Sequence, residues 1–161
     1  MAYKKIGGIY SALLTSFDKD GNINEKGIRE LVRYNIDHNK VDGLYVGGST
    51  GENFLLSPEE KEQIFKIVKD EAKDGCQLIA QVGSLNIKES VKLAKLVTDL
   101  GYDSLSAVTP FYYKFSFNEI KEYYNTILKD VDNQMVVYFI PFLTGVNISV
   151  CLLYTSPSPR D

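Results

Sequence analysis

The sequence alternates between short apolar runs and longer amphipathic segments, and this alternation limits the folds available to the chain. The apolar runs have the length of strands and are nearly continuous in hydrophobicity, as parallel strands covered on both faces require. They occupy residues 9–14, 43–46, 77–82, 104–108 and 135–140. Between the runs, apolar residues keep helical spacing, as Ile64, Ile67 and Val68 do. Five strands alternating with four helices predict an α/β fold with right-handed crossovers.

Residues typical of helix ends mark the boundaries of the second and third predicted helices. Residues 57–60 read Ser-Pro-Glu-Glu and offer an N-cap serine, a proline at the first helical position and a glutamate that completes a capping box. Asn86 and Glu89 repeat this arrangement at the start of the third helix. Gly75 and Gly101 follow the two helices, where a left-handed residue ends a helix at low cost.

Two α/β architectures accommodate this pattern. A doubly wound sheet of flavodoxin type fits five strands within 161 residues. A parallel (β/α)8 TIM barrel needs about 250 residues, so this chain would supply only about its first five β/α units. The number of elements slightly favours the open sheet, and the motifs have to decide between the two.

Composition and charge exclude several classes of function. A net charge of -3 and a pI near 5.3 give no basis for nucleic acid or an anionic membrane as a partner. No stretch approaches the roughly 20 apolar residues that span a bilayer, and no secretory signal follows the amino-terminal lysines. Cys76 and Cys151 lie far apart without a CxxC motif, so we expect a cytoplasmic protein with reduced thiols. His38, the sole histidine, and the charged run at 59–62 are both expected to be solvated, with no metal site.

A glycine-rich turn follows the second predicted strand directly. Residues 47–52 read Gly-Gly-Ser-Thr-Gly-Glu, which matches neither a P-loop nor a dinucleotide-binding motif. The turn carries the adjacent hydroxyls of Ser49 and Thr50, and several backbone N–H donors, at the carboxyl end of a strand. Such convergent donors suit a small carboxylate. The structural alternative is a tight turn in which both side chains serve only as caps.

Aromatic residues follow the fourth and fifth predicted strands. Residues 109–113 read Thr-Pro-Phe-Tyr-Tyr and place three aromatics at the same end of the sheet as the glycine-rich turn. Such a loop, taken alone, typically covers a core edge or a subunit contact. Tyr138, near the end of the fifth run, carries a phenol that can donate a proton and accept one back beside suitable neighbours. Taken alone, such a tyrosine more often makes a structural hydrogen bond than it acts in catalysis.

Together and in this order, these elements resemble the N-acetylneuraminate lyase branch of the class I pyruvate aldolases, a family that includes dihydrodipicolinate synthase. The matching stretches are residues 43–52, 106–113 and 138–141, and the resemblance extends from about residue 6 to residue 148. It implies a (β/α)8 barrel with its active site at the carboxyl ends of the strands, of which residues 1–150 would form the N-terminal part.

The resemblance also implies a role for each matching residue. Ser49 and Thr50 would bind the carboxylate of pyruvate or of open-chain N-acetylneuraminate, and Tyr138 would be the catalytic phenol that moves protons. Tyr112 would reach the site of a neighbouring subunit, because members of the family are typically homotetramers. The implied reaction is the reversible cleavage of N-acetylneuraminate to N-acetylmannosamine and pyruvate through a Schiff base. It needs no metal and no organic cofactor.

The Schiff-base lysine of this family belongs on the sixth strand, in a Gly-Val-Lys-x-Thr context that this sequence does not contain. None of the lysines occupies a matching position, so we expect the chain as given to be inactive. Its five-strand arc would also leave the first and fifth strands as unpaired edges. Residues 151–161 read Cys-Leu-Leu-Tyr-Thr-Ser-Pro-Ser-Pro-Arg-Asp, which cannot continue a helix or a central strand. We expect this tail to be disordered or foreign to the domain.

Two other functions stand beside the leading one. Dihydrodipicolinate synthase shares the fold, the lysine and the tyrosine, but more often has Thr-Thr where this chain has Ser49 and Thr50. A non-catalytic flavodoxin-like binding module would need an acidic cluster or a phosphate loop at the end of the first strand. Residues 14–18, Leu-Thr-Ser-Phe-Asp, supply neither.

Overall fold

A computed structural model of the protein describes residues 4–73 and 75–149, and the predicted alternation of strands and helices is confirmed there. The elements are β1 Tyr10–Ala12, α1 Glu25–Asp37, β2 Gly43–Val46, α2 Pro58–Ala72, β3 Gln77–Gln81, α3 Ile87–Asp99, β4 Ser104–Val108, α4 Phe117–Leu128, β5 Met135–Tyr138 and α5 Pro141–Thr144. Two 3-10 turns, Ser49–Gly51 and Asn53–Leu55, follow β2. The short helix α5 was not predicted. The tail at 151–161 lies outside the described residues.

The order of the strands separates the two architectures that the element count left open. Within the described ranges the five strands are all parallel and pair sequentially as β1-β2-β3-β4-β5. A flavodoxin-type sheet has the order 2-1-3-4-5, so the doubly wound alternative is wrong. Sequential right-handed crossovers place the helices on one face, as in a (β/α)8 barrel. The strands β1 and β5 form the two edges of the arc, as expected.

The helices cover one face of the sheet, here called the outer face. In the three central strands its residues are apolar and almost completely buried: Leu44, Val46, Leu78, Ala80, Leu105 and Ala107. They belong to one hydrophobic cluster with helix residues such as Ile28, Phe65 and Val97. Each large apolar side chain buried in this way contributes roughly 1.5–3 kcal/mol of transfer free energy. The outer face is therefore the core of the fold.

The opposite face, here called the inner face, has a different composition. Because side chains alternate along a strand, it carries the intervening residues Tyr45, Ile79, Gln81, Ser104, Ser106, Val108, Val136 and Tyr138. The ladder places Gln81 beside Ser106 and Val108 beside Tyr138. Hydroxyl, amide and phenol groups thus line the side of the sheet that corresponds to the interior of a barrel.

Capping boxes set the starts of two helices. The Ser57 hydroxyl accepts from the Glu60 N–H, and the Glu60 carboxylate accepts from the Ser57 N–H. This predicted box is confirmed. An equivalent box that the sequence analysis missed begins α4, where Ser116 and Glu119 exchange the same two bonds.

The environment of Lys61 contradicts two of the predictions made from the sequence. Its side chain is only 5% exposed and its ammonium lies 2.7 Å from the carboxylate of Glu89. The prediction that the run at 59–62 is solvated is therefore wrong for Lys61, which lies one turn before Phe65 on the buried helix face, while Glu59 is exposed. The predicted box at Asn86 is wrong in its second half, since Glu89 binds Lys61 and the Ser84 hydroxyl instead.

The two glycines predicted to end helices behave differently. Gly101 has a φ of +79°, as expected after α3. After α2 the positive φ falls at Lys73, with a φ of +49° and a ψ of -129°, and not at Gly75. The prediction that Gly75 ends this helix in a left-handed conformation is therefore wrong.

Candidate active site at the carboxyl edge of the sheet

The glycine-rich turn leaves β2 at the carboxyl edge of the sheet. Gly47 has a φ of +70°, a conformation that glycine adopts without steric cost. The Gly51 N–H then donates to the Gly48 carbonyl over 3.0 Å and closes the first 3-10 turn. Ser49 and Thr50 are exposed, and no hydrogen bond in the described part of the chain involves either hydroxyl. Neither side chain acts as a cap, so both remain available to a ligand.

Neighbouring segments hold this turn in place. The Thr15 hydroxyl, which follows β1, donates to the Gly51 carbonyl over 2.7 Å. A Cβ at Gly51 would lie 3.0 Å from the Leu13 carbonyl oxygen, so the two segments are in close contact and a larger residue would require one of them to shift. Asn53, only 1% exposed, donates from its amide to the Gln81 carbonyl at the end of β3 over 3.5 Å. The backbone around Ser49 and Thr50 is thus fixed by contacts from both adjacent strands.

Tyr138 is the last residue of β5 and lies on the inner face beside Val108. It is 36% exposed, and its phenol has no hydrogen-bond partner among the described residues. Its ring lies 5.6 Å from the ring of Tyr45, measured between centroids. The phenol therefore makes no structural hydrogen bond among the described residues, although a tyrosine near the end of a strand more often does so.

Tyr45 connects the turn to Tyr138, and the sequence analysis did not single it out. A Cβ added at Gly48 would lie 2.6 Å from Cε1 of Tyr45, so the backbone of the turn rests directly on this ring. The Tyr45 phenol lies 3.0 Å from the Ser106 hydroxyl, and burial raises the pKa of Tyr45 to about 12. The turn and Tyr138 both contact Tyr45 and therefore share one side of the sheet. The alternation of side chains along residues 43–46 could have identified Tyr45, because it places this residue on the inner face between two outer-face residues.

The aromatic loop after β4 contributes to a small cavity beside the turn. Phe111 packs edge-on against Phe54, with centroids 4.9 Å apart. A cavity of about 140 Å³ is lined by Ser49, Phe54, Val108, Phe111, Ile140, Leu143 and Thr144. Its only polar side chains are hydroxyls, and none of its lining residues is a lysine. The unpredicted helix α5 supplies one wall of this cavity.

Tyr112 does not join this group within the chain. It is 81% exposed, has a φ of +77° and packs its ring against Tyr113. A positive φ at a bulky residue is unusual and is commonly associated with a functional constraint. The structure thus brings Ser49, Thr50 and Tyr138 to one edge and one face, and leaves Tyr112 projecting from the surface.

Other parts of the described chain offer less chemistry. Surface grooves of about 650 and 930 Å³ lie along α1 and at the end of α4, and neither is lined by residues of the carboxyl edge. In residues 4–73 and 75–149, no three His, Cys, Asp or Glu side chains are grouped to hold a metal ion. No helix in those ranges has the length and hydrophobicity to cross a bilayer. His38 is exposed and stacks on Tyr34, with ring centroids 5.1 Å apart.

Comparisons with known proteins agree on one group of relatives. The model of the dihydrodipicolinate synthetase family matches residues 5–154. The N-acetylneuraminate lyase of Clostridium perfringens is 71% identical over 143 residues, which are 89% of this chain and 50% of that protein. A Clostridium difficile protein solved in complex with mannosamine has a TM-score of 0.92 at 66% identity, covering 94% of this chain and 52% of that one.

A further solved structure extends this likeness. The N-acetylneuraminate lyase of Fusobacterium nucleatum complexed with pyruvate has a TM-score of 0.84 at 62% identity, over 91% of this chain and 49% of that one. The chain therefore spans about half the length of the relatives that it matches.

Proposed function

The chain belongs to the dihydrodipicolinate synthetase family, and from this premise we propose that it is the N-terminal part of an N-acetylneuraminate lyase. The observation that carries the proposal is the meeting of the Ser49-Thr50 turn and Tyr138 around Tyr45, on the inner face of the carboxyl edge. The lyase is preferred to other activities of the family because the relative from Clostridium perfringens, a lyase, is 71% identical. Residues 1–150 then form the N-terminal part of one barrel domain.

The proposed reaction assigns a distinct task to each group. Ser49 and Thr50 bind the substrate carboxylate with hydroxyl and backbone donors, because charge-assisted hydrogen bonds are the strong ones. A lysine on the sixth strand, contributed from outside this chain, forms the Schiff base that accepts the electrons of the breaking carbon–carbon bond. The Tyr138 oxygen takes the proton from the C4 hydroxyl as N-acetylmannosamine leaves, and the electrons of the broken bond form an enamine on the lysine. A proton returned to C3 of the enamine restores a Schiff base, and its hydrolysis releases pyruvate and the lysine amine.

We propose that the whole protein works as a cytoplasmic homotetramer. Tyr112, 81% exposed with a φ of +77°, is held away from its own chain in a conformation suited to reaching a neighbouring subunit. Cys76 is a free cysteine in the described residues, which suits a reducing compartment. Each subunit then contributes Tyr112 to the site next to it, where it orients the catalytic tyrosine.

The proposal is tested in a completed barrel, which joins residues 1–148 of this chain to the carboxyl-terminal half of the Clostridium perfringens lyase. We expect the purified, folded completed barrel to release pyruvate from N-acetylneuraminate. The 161-residue chain alone should release none, because it lacks the lysine. A folded completed barrel without turnover overturns the proposal. Condensation of pyruvate with aspartate semialdehyde in preference to N-acetylmannosamine would reassign it to dihydrodipicolinate synthase.

A further inference from the structure

We propose that Tyr45 and Ser106 form a positioning pair that fixes the Tyr138 phenol relative to the Ser49-Thr50 turn. The inference rests on the proposed function, and it adds two residues that touch neither substrate nor the Schiff base in that mechanism. The pair links β2 to β4 and β5 across the inner face, over the intervening strand β3.

The first link is made by the ring of Tyr45. One part of the ring supports the backbone of the turn, since a Cβ at Gly48 would lie 2.6 Å from Cε1 and 2.8 Å from Cδ1. The ring also contacts Tyr138 at a centroid separation of 5.6 Å and an interplanar angle of 34°. Because the ring lies between the turn and the phenol, its position sets the distance between the carboxylate-binding donors and the proton-transferring group.

The second link is a chain of hydrogen bonds. The Ser106 hydroxyl donates to the Val136 carbonyl over 3.1 Å. A serine has a single O–H donor, so the Tyr45 phenol must donate in its 3.0 Å contact with the Ser106 oxygen. Val136 lies two residues before Tyr138 on the same face of β5. The phenol of Tyr45 is thereby tied, through Ser106, to the backbone that carries Tyr138.

The location of this pair distinguishes it from ordinary structural hydrogen bonds. Tyr10 lies on the same face at the amino edge of the sheet, and its phenol bonds to the Gln77 side chain. That contact is also between a strand tyrosine and a polar side chain of another strand. It lies far from the turn and from Tyr138, because β1 pairs Tyr10 with Gly43 at the start of β2. Tyr10 therefore provides a matched control.

The kinetic test uses Tyr45→Phe, Ser106→Ala and the double variant in the completed barrel. Each single change should lower kcat for N-acetylneuraminate about fivefold, the effect of one lost hydrogen bond of about 1 kcal/mol. KM should change less than about threefold, because phenylalanine preserves the ring under the turn and the carboxylate donors. The double variant should lose little more than either single one, since both remove the same bond. Tyr10→Phe should leave kcat within about twofold.

A second readout does not depend on turnover. The full 161-residue chain is labelled with 13C at the tyrosine rings, and the Tyr138 signal is identified by its loss in Tyr138→Phe. Ser106→Ala should shift this signal although Ser106 pairs with Val136 and not with Tyr138 in the ladder, and Tyr10→Phe should not. An unshifted Tyr138 signal, or an unchanged kcat in a folded Tyr45→Phe barrel, overturns the positioning pair. Failure of the unmodified completed barrel to release pyruvate overturns the proposed function instead, and the ring signal still decides the positioning.

Discussion

The two faces of the sheet are built from the same strands but have opposite characters. On the outer face, Leu44, Leu78 and Leu105 are at most 1% exposed and pack against the helices. On the inner face, Tyr45 and Ser106 are hydrogen-bonded to each other, and polar residues such as Gln81 lie among apolar ones such as Ile79. In β2 the two characters alternate from one residue to the next. The outer face therefore stabilises the fold, and we propose that the inner face positions the reactive groups.

This division has a physical basis in the barrel. The helices exclude water from the outer face, so a polar group there without a hydrogen-bond partner would cost roughly 1–3 kcal/mol of stability. The polar groups of the inner face have a different requirement. They must form hydrogen bonds with one another and still leave some hydroxyls free to bind a substrate. In the described chain, the hydroxyls of Ser49, Thr50 and Tyr138 have no hydrogen-bond partner, and neither has that of the buried Thr109. If the division is correct, substitutions on the two faces should affect different measurements.

The largest expected effect is on the inner face, at Tyr138. Tyr138→Phe removes only the phenol oxygen that transfers the proton, so kcat of the completed barrel should fall by about 10²–10⁴-fold. The free energy of unfolding should hardly change, because this phenol makes no hydrogen bond among the described residues. The exposed Tyr113 of the aromatic loop provides the control, and Tyr113→Phe should retain full activity. Normal turnover in Tyr138→Phe would contradict the assignment of a reactive group to the inner face.

An outer-face truncation should show the reverse. Leu44→Ala leaves a cavity in a fully buried position and should lower the free energy of unfolding by about 2–5 kcal/mol. Urea denaturation followed by circular dichroism measures this loss. Leu55 is 81% exposed, and Leu55→Ala should change stability by less than about 0.5 kcal/mol. Equal losses at the two leucines would contradict the assignment of the core.

Two serines near β2 should separate binding from stability. Ser49→Ala removes a donor to the substrate carboxylate and should raise KM about tenfold or more, since hydrogen bonds to charged groups contribute about 1.5–3 kcal/mol. Ser57→Ala removes a helix cap and should cost about 1 kcal/mol of stability with no change in KM. Steady-state kinetics and denaturation of both variants measure the contrast. A Ser49→Ala enzyme with normal KM would remove the turn from the binding site.

The smallest expected effect is a pH dependence that originates on the inner face. Burial raises the pKa of Tyr45 to about 12, against roughly 10 in the unfolded chain. Folding therefore favours the neutral phenol: its contribution is complete below about pH 10 and is lost as the pH rises through about 12. The free energy of unfolding of the parent chain should therefore fall between about pH 9 and pH 11, and in Tyr45→Phe it should fall by about 1 kcal/mol less. Denaturant titrations of the full chain at both pH values measure this difference. The same change in unfolding free energy with pH in parent and variant would contradict it.

The outer face could largely be predicted from the sequence. Its strands are continuous apolar runs, and helix residues such as Ile64 and Val68 repeat with helical spacing, so local patterns carry the necessary signal. The predicted strands at 9–14 and 135–140 are shortened to Tyr10–Ala12 and Met135–Tyr138. These are the two edges, where only one neighbour supplies a hydrogen-bonded ladder. At the second edge, Pro141 also begins α5.

The inner face could be predicted only in part. The motifs identified Ser49, Thr50 and Tyr138 as candidates, but not the contacts that relate them. Tyr45 and Ser106 are 61 residues apart, and their pairing depends on the register of the two ladders that join β2 to β3 and β3 to β4, which no local pattern encodes. The buried pair of Lys61 and Glu89 was missed for the same reason. Both cases involve polar side chains whose partners come from distant elements.

The central claim is that the Ser49-Thr50 turn and the Tyr138 phenol face one keto acid. A crystal structure of the completed barrel with bound pyruvate tests it most directly. We predict that the pyruvate carboxylate lies within hydrogen-bonding distance of Ser49 and Thr50, with the Tyr138 phenol on the same side of the sheet and beside the keto carbon. Pyruvate bound elsewhere, or a phenol directed away from it, would contradict the account.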